Sequence, residues 1–455
     1  MSRAPGALAI VLHTHMPYVE GFGTWPFGEE WLWEAIARCY LPLLDALDAA
    51  PGRVTLSVTP VLGDQFEAPG VLSRCAAFLR DVRRETHRLD IAAACSRAEA
   101  AALEHSAALY ERAAAALSRG DLAERMAAHA SWTSAATHSV LPLLATTGGV
   151  RLQLATGIAA HRARSGAWGG GLWLPECAHA PWPDALLEEA GVRATCVDLT
   201  DVLGRGSVDQ LRPLRSPAGP LLAPVDRMLV ELVWSESGYP SREPYCDTVR
   251  FTEHRHNAWA VGGAAYDPPR AARQARTDAQ EFVRAAAARV RGGGLSVVAL
   301  DTELLGLHWH EGVTWLSELL AAAAGAGLRI APLDELLREH DPVPAPDLPV
   351  TSWGTPRDLS TWSAPSAGGL AWRQRAAELR AVAAMPDVPD RALRELLALQ
   401  SSDWAFLATR ATAGPYPRER AAAHEAAFEA ALARGLPAAL HNLAPHLARD
   451  ALAAP

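Results

Sequence analysis

The chain has 455 residues, 42 of them basic and 51 acidic, and every basic residue is Arg. Without Lys there is no Schiff-base nucleophile, no pyridoxal-phosphate anchor, no Walker-A lysine and no carbamylated-lysine metal bridge. A formal charge of −9 argues against nucleic acid or an anionic membrane as partner, because both need a basic footprint.

Length predicts about three domains, or one large barrel with an appendage, and a mean hydropathy of +0.01 fits a globular chain with a sizeable core. Ala7–Leu12 (ALAIVL) predicts a buried strand and breaks into His13-Thr14-His15. Six apolar residues are too few for a signal-peptide core, and no stretch approaches the ~18 of a membrane span. Val54–Thr59 predicts a second strand, passing through Pro60 to Gly63-Asp64-Gln65. From Arg97 to about Ala145 the chain is Ala-rich and predicts a strand-free helical insertion. Gly171–Leu174 ends in Pro175-Glu176, Pro183–Ala190 is helical, and Thr195–Leu199 is strand-like. Met228–Val233 reads as a strand ending in Trp234-Ser235-Glu236. Helix Pro269–Arg291 follows, then strand Ser296–Leu300 ending in Asp301-Thr302-Glu303, then helices Val313–Ala324 and Pro332–His340. Strands alternating with helices predict an α/β fold with a parallel sheet. The boundaries expected are a catalytic domain over 1–340, with the helical insertion at about 97–145, and a Pro/Gly/Ser/Trp-rich linker over 341–370. A helical C-terminal domain over 371–455 breaks near Met385–Pro389 and Gly414–Pro417. Six cysteines without a CxxC spacing predict a reducing, cytoplasmic setting.

In barrels and open parallel sheets the active site lies at the carboxyl ends of the strands. Glu176 and Asp301 both directly follow predicted strands, so both should face one cleft. Two such carboxylates are what glycoside cleavage needs, one protonating the leaving oxygen and the other attacking or activating water. The alternative for each is a helix cap or a surface charge. His13-x-His15 and His308-x-His310 fit hydrogen bonding to sugar hydroxyls, but also a mononuclear zinc amidohydrolase or deacetylase. Trp makes up 15 of the aromatics, against 7 Tyr and 8 Phe. Trp31, Trp33, Trp315 and Trp372 sit in helical patterns and are expected in cores. Trp25, Trp234, Trp353, Trp362 and Trp404 lie beside Gly, Pro, Ser or Asp, where a flat face can stack on a sugar ring or anchor a loop.

Five segments together resemble glycoside hydrolase family 57, and within it the α-1,4-glucan branching enzymes. They are LHTHMPY (12–18), LGDQFEAPG (62–70), GLWLPECAHAPW (171–182), LDTELLGLHWHEG (300–312) and LQSSDWAFLATRATAGPYPRERAAAH (399–424). The resemblance implies an incomplete (β/α)7 barrel with a helical insertion and a helical C-terminal domain, a retaining mechanism on α-glucan, and neither metal nor cofactor. It makes Glu176 the nucleophile and Asp301 the general acid/base. It places His13, His15, Trp25, Trp234, Trp353, Trp362, Asp403 and Trp404 at substrate-cleft positions; Asp64 and Gln65, delivered by the second strand, are expected to bind substrate as well. Branching members carry a long loop with a tyrosine over the acceptor side, whereas Asp201–Leu222 has no Tyr and Tyr239 comes later. A hydrolase of the α-amylase type or a 4-α-glucanotransferase is therefore the alternative within the family.

Overall fold

The computed structural model describes residues 6–23, 27–217, 219–434 and 442–453. In chain order the strands are β1 (Ala7–Thr14), β2 (Thr55–Val58), β3 (Ala130–Ser134), β4 (Leu172–Trp173) and β5 (Ala194–Val197). β6 (Leu214–Arg215), β7 (Leu221–Pro224), β8 (Leu295–Asp301), β9 (Arg329–Ile330) and β10 (Val343–Pro344) follow. β1 is apolar at its first six positions and buried along its whole length, as a strand covered on both faces must be. It lies inside a parallel sheet of order β4-β3-β2-β1-β8, with β9 taking the first residues of β1. A smaller sheet has the order β10-β6-β7-β5, and β5 runs parallel to β7.

Two single bridges join the sheets, Gly171 to Ala194 between β4 and β5 and Val225 to Val297 between β7 and β8, both parallel. The circuit β1-β2-β3-β4-β5-β7-β8 thus closes as seven parallel strands, thinned at two seams. This is the incomplete (β/α)7 barrel. Gly171 is obligatory at the first seam, because a Cβ there would lie 2.0 Å from the Trp132 indole nitrogen. At the second seam the Asp226 N–H donates to the Val297 carbonyl at 2.8 Å. The buried Asp226 carboxylate accepts from Ser296 Oγ at 2.9 Å and from Arg289 Nε at 2.8 Å.

Two sequence expectations need correction. The insertion is helical over Arg97–Leu117 and Leu122–His129, but β3 follows inside the span expected to be strand-free. ASWTS is short, polar and flanked by Ala-rich helix, so neither periodicity nor propensity marks it. Met228–Val233 is not a strand; it lies in a helix, Arg227–Val233, and β7 takes its place in the barrel. A continuous apolar run of six does not distinguish the two conformations.

The C-terminal helices Pro365–Ala383, Asp390–Leu399, Ser402–Arg410 and Tyr416–Arg434 bury Leu393, Leu396, Trp404 and Phe428 in one cluster with Tyr18, Val61, Ala136 and Leu152 of the barrel. They therefore share a core with the barrel. Trp33 and Trp315 are buried as expected, but Trp372 is 74% exposed. Helical spacing says that a residue lies on a face, not which face is covered.

Candidate active site

The strand ends deliver the site. β1 ends in His13 and Thr14 with His15 next, β2 leads to Thr59, β3 to His138, β4 to Glu176, and β8 to Asp301 and Glu303. His13 pairs in register with Asp301 on one side and Ser57 on the other, so these side chains lie at one level of the barrel. After β4 the chain turns sharply at Pro175. Glu176 (φ 63°) and Cys177 (φ 47°) both take left-handed backbone, a conformation that costs a non-glycine residue on the order of 1 kcal/mol. The turn aims the Glu176 carboxylate back over the barrel mouth.

Both Glu176 oxygens are held. Oε1 accepts from Ser402 Oγ at 2.9 Å, and Oε2 accepts from the Trp353 indole N–H at 3.1 Å. The Glu176 carbonyl also accepts from the Trp353 backbone N–H at 3.0 Å. Burial raises the Glu176 pKa, while those two side-chain donors oppose the rise. Asp301 is open to solvent on the cleft floor, although protein encloses it on its other sides. That enclosure, followed by the charges of Glu303 and Glu176, pushes its pKa well above the ordinary range. A third carboxyl, Glu303, accepts from the His15 backbone N–H at 3.1 Å and from the Tyr40 hydroxyl at 2.7 Å, both on Oε1. Burial raises its pKa to about 7 against the pull of these donors.

Three histidines stack beneath the carboxylates. His138 lies 4.8 Å from His13 and 4.1 Å from His15 between ring centroids, and His13 lies 4.7 Å from Trp173. His15 Nε2 meets Asp403 at 3.0 Å and its Nδ1 meets Thr59 Oγ1 at 3.1 Å. Burial and the charge of His15 hold the pKa of both His13 and His138 well below the usual value. Burial works against a charged His15 too, but Asp403, Glu303 and Glu176 outweigh it and raise its pKa. His138 is thus the middle ring of the stack, with His13 on one side and His15, the ring whose charged form is favoured, on the other. Near-parallel rings place their nitrogens side by side, and among the described residues no three His, Cys, Asp or Glu side chains converge to hold an ion. The HxH motif is thus built into a hydrogen-bonded stack.

Of the residues singled out from sequence, Glu176, Asp301, His13, His15, Trp353 and Asp403 come together here. Trp234 is 54% exposed and lies 6.2 Å from His308 between ring centroids, with no contact to the carboxylate cluster among those the structure shows. Trp404 and Trp362 offer no platform, because both are buried. Trp404 donates to the Ala398 carbonyl at 2.8 Å, and Trp362 packs with Val140, Ala178, Ala367 and Ala405. Trp25 lies outside the described residues. Asp64 and Gln65 also stand apart from the cluster. Gln65 Oε1 accepts from the Val19 N–H at 2.7 Å and its amide donates to the Pro17 carbonyl at 3.1 Å, clamping the loop after β1. Asp64 accepts from Arg164 at 2.5 Å and from the Ala444 N–H at 2.9 Å. Removing Arg164 would leave Asp64 a buried charge short of its cation. Arg164→Ala is therefore expected to cost roughly 3 kcal/mol in a denaturant titration while leaving KM for glucan unchanged.

His138, Ser402, Tyr40 and Glu303 were not singled out from sequence. His138 follows the unrecognised strand, and Ser402 stands beside an Asp-Trp pair that draws attention first. Tyr40 lies in a helical stretch that carries no motif.

Residues 132–343 match the model of glycosyl hydrolase family 57, and residues 373–438 match that of the 1,4-alpha-glucan branching enzyme C-terminal region. A probable 1,4-alpha-glucan branching enzyme of Mycobacterium tuberculosis is 30% identical over 93% of this chain and 91% of its own. The chain belongs to glycoside hydrolase family 57. The crystal structure of a family 57 branching enzyme from Pyrococcus horikoshii superposes with a TM-score of 0.87 at 27% identity, covering 98% of this chain and 95% of that one. An α-amylase from Thermotoga maritima gives 0.83 at 21% identity, covering 99% of both chains. The same fold thus carries proteins described by more than one activity, and the fold does not choose between them.

Proposed function

We propose that this family 57 protein is a retaining 1,4-α-glucan branching enzyme. Glu176 attacks the anomeric carbon of an α-1,4-linked glucan while Asp301 gives its proton to the departing glycosidic oxygen. The glucosyl ester on Glu176 is then opened by the 6-hydroxyl of a second glucan, whose proton returns to Asp301. An α-1,6 branch results and both carboxyls regain their starting states. A retaining reaction calls for carboxyl groups about 5–5.5 Å apart.

The observation that carries this reading is the contrast between the two carboxyls. Glu176 has two donors favouring its ionised form, whereas Asp301 faces the charges of Glu303 and Glu176. A nucleophile must be ionised and an acid must start protonated; the two donors on Glu176 work toward its ionised form against burial, whereas the charges beside Asp301 add to burial in holding its proton. Transfer over hydrolysis is supported by the match to branching-enzyme relatives, including the C-terminal region. Among the described residues no helix is long and apolar enough to cross a membrane. All six cysteines are free thiols, in keeping with action in a reducing cytoplasm.

A second reading, α-glucan hydrolysis, has one observation behind it. The stretch over Asp201–Leu222 carries no Tyr; it folds into a short helix (Thr200–Leu203), a 3₁₀ turn (Val208–Leu211), β6 and the start of β7. Tyr239 is buried against Trp309 and Trp315 and cannot cover an acceptor. Incubation with amylose separates the readings, counting new α-1,6 linkages against new reducing ends. Branch points in excess are expected. Abundant reducing ends without branches would make the protein a hydrolase, and chain-length redistribution with neither would make it a 4-α-glucanotransferase.

A further inference from the structure

We propose that Ser402 and His138 are positioning residues for Glu176, joined to it by a hydrogen-bond chain whose direction the carboxylate dictates. The inference rests on the reading of Glu176 as nucleophile. The links are His13 Nε2 to His138 Nε2, His138 Nδ1 to Ser402 Oγ, and Ser402 Oγ to Glu176 Oε1, each 2.9 Å long. An ionised carboxylate can only accept. The single Ser402 hydroxyl proton must therefore point at Glu176, which leaves the oxygen's lone pairs to accept from His138. A neutral imidazole protonated on Nδ1 has a bare Nε2, so His13 donates at the far end. Because neither histidine is charged, no spare proton can reverse the order.

The middle of the chain is built to stay put. His138 and Ser402 are each 3% exposed. The His138 carbonyl accepts from the Ser402 backbone N–H at 3.1 Å, so the two residues are joined through main chain and side chain at once. His138 holds a left-handed backbone, φ 58°, immediately beyond β3, as Glu176 does beyond β4. Such conformations persist where surrounding contacts over-determine them. Ser402 opens a C-terminal helix that contributes no strand to the barrel. The aim of the nucleophile thus depends on how that helix docks against the β3 loop.

The groups facing Glu176 are Ser402 and Trp353 by hydrogen bond and the His138 ring, with Nδ1 3.7 Å from Oε1. The charges of Asp403, His15 and Asp301 act on the same site. Removing Ser402 takes away one of the two side-chain donors that favour ionised Glu176.

The test uses the full chain and a fluorinated α-glycosyl fluoride that traps the glycosyl-enzyme, so that the labelling rate reports attack by the nucleophile. In Ser402→Ala, labelling is expected to slow by about tenfold or more, with the acid limb of kcat/KM moving up by about one pH unit. Ser402→Thr should return the acid limb and recover most of the rate. His138→Phe, which frees the Ser402 hydroxyl to rotate, should slow labelling in the same direction, and it carries the readout if Ser402→Ala fails to fold. A purely structural role would lower the melting temperature and leave the acid limb where it was; that result, with the label still on Glu176, overturns the inference. A label found on another residue overturns the nucleophile assignment instead.

Discussion

Glu176→Gln is expected to lower turnover on α-glucan by roughly four to six orders of magnitude, the scale on which enzymes lose their covalent nucleophile. The fold should survive. A glutamine amide can accept from the Trp353 indole N–H through its oxygen and donate to Ser402, whose hydroxyl is free to reverse. Asp301→Asn should be as damaging on glucan for a different reason, since it leaves the nucleophile in place and removes the proton. A fluoride leaving group needs little protonation. Asp301→Asn should therefore still form the glycosyl-enzyme from an α-glycosyl fluoride, whereas Glu176→Gln should not. Near-wild-type turnover of glucan by either variant would overturn the assignment, and equal failure of both on the fluoride would remove the distinction between their roles.

Glu303→Gln is the second large effect. Both hydrogen bonds to Glu303 end on Oε1, so an amide can keep both contacts while losing the charge. The Glu303 charge is the largest electrostatic influence on Asp301 after burial. Without it the Asp301 pKa falls, and the alkaline limb of kcat/KM should move to lower pH by about one unit. The same variant tests stability. Folded Glu303 keeps its proton until about 7, whereas in the unfolded chain it ionises near about 4.3. The unfolded state therefore gains by ionising first, and the native protein loses stability as pH rises through that window. An amide cannot ionise. Glu303→Gln should thus be more stable than the parent at pH 8, by on the order of 2 kcal/mol, and no more stable at pH 4. Denaturant titrations at the two pH values check this. An unmoved alkaline limb would show that Glu303 does not govern Asp301. Because the carboxyls interact, the observed limbs belong to the site as a whole.

The barrel was legible in sequence wherever a strand is long and buried. β1 and β8 read plainly as apolar runs, and the polar residues at their ends are the ones that meet in the cleft. β3 was not legible, because its buried positions are filled by Trp, Thr and Ser in a setting of alanine-rich helix. Missing that strand meant missing His138, and with it the reason why Ser402 stands beside Asp403. Tryptophan was a weaker guide than its number promised. Trp353 hydrogen-bonds Glu176 and Trp234 lies exposed beside His308, whereas Trp362 and Trp404 are packing residues and Trp372 faces solvent. Which side of an aromatic ring is covered depends on the element packed against it, and one sequence position does not carry that information.

Glu176 and Asp301 hang from β4 and β8, the two outer strands of a single sheet. Nothing in that sheet joins them directly on the open side. The smaller sheet spans the gap like a clasp, fastened at each end by one bridge, Gly171 to Ala194 and Val225 to Val297. With the roles proposed for this pair, the span across which a glycosidic bond is cut is therefore set by how far one curved surface curls. Retaining and inverting geometries differ by only a few ångströms, roughly 5 Å against 6.5–9.5 Å. A curl relaxed by that amount would carry the pair from one regime toward the other with every helix still in place. Reactivity in this architecture is thus a property of curvature, more fragile than the fold that supports it.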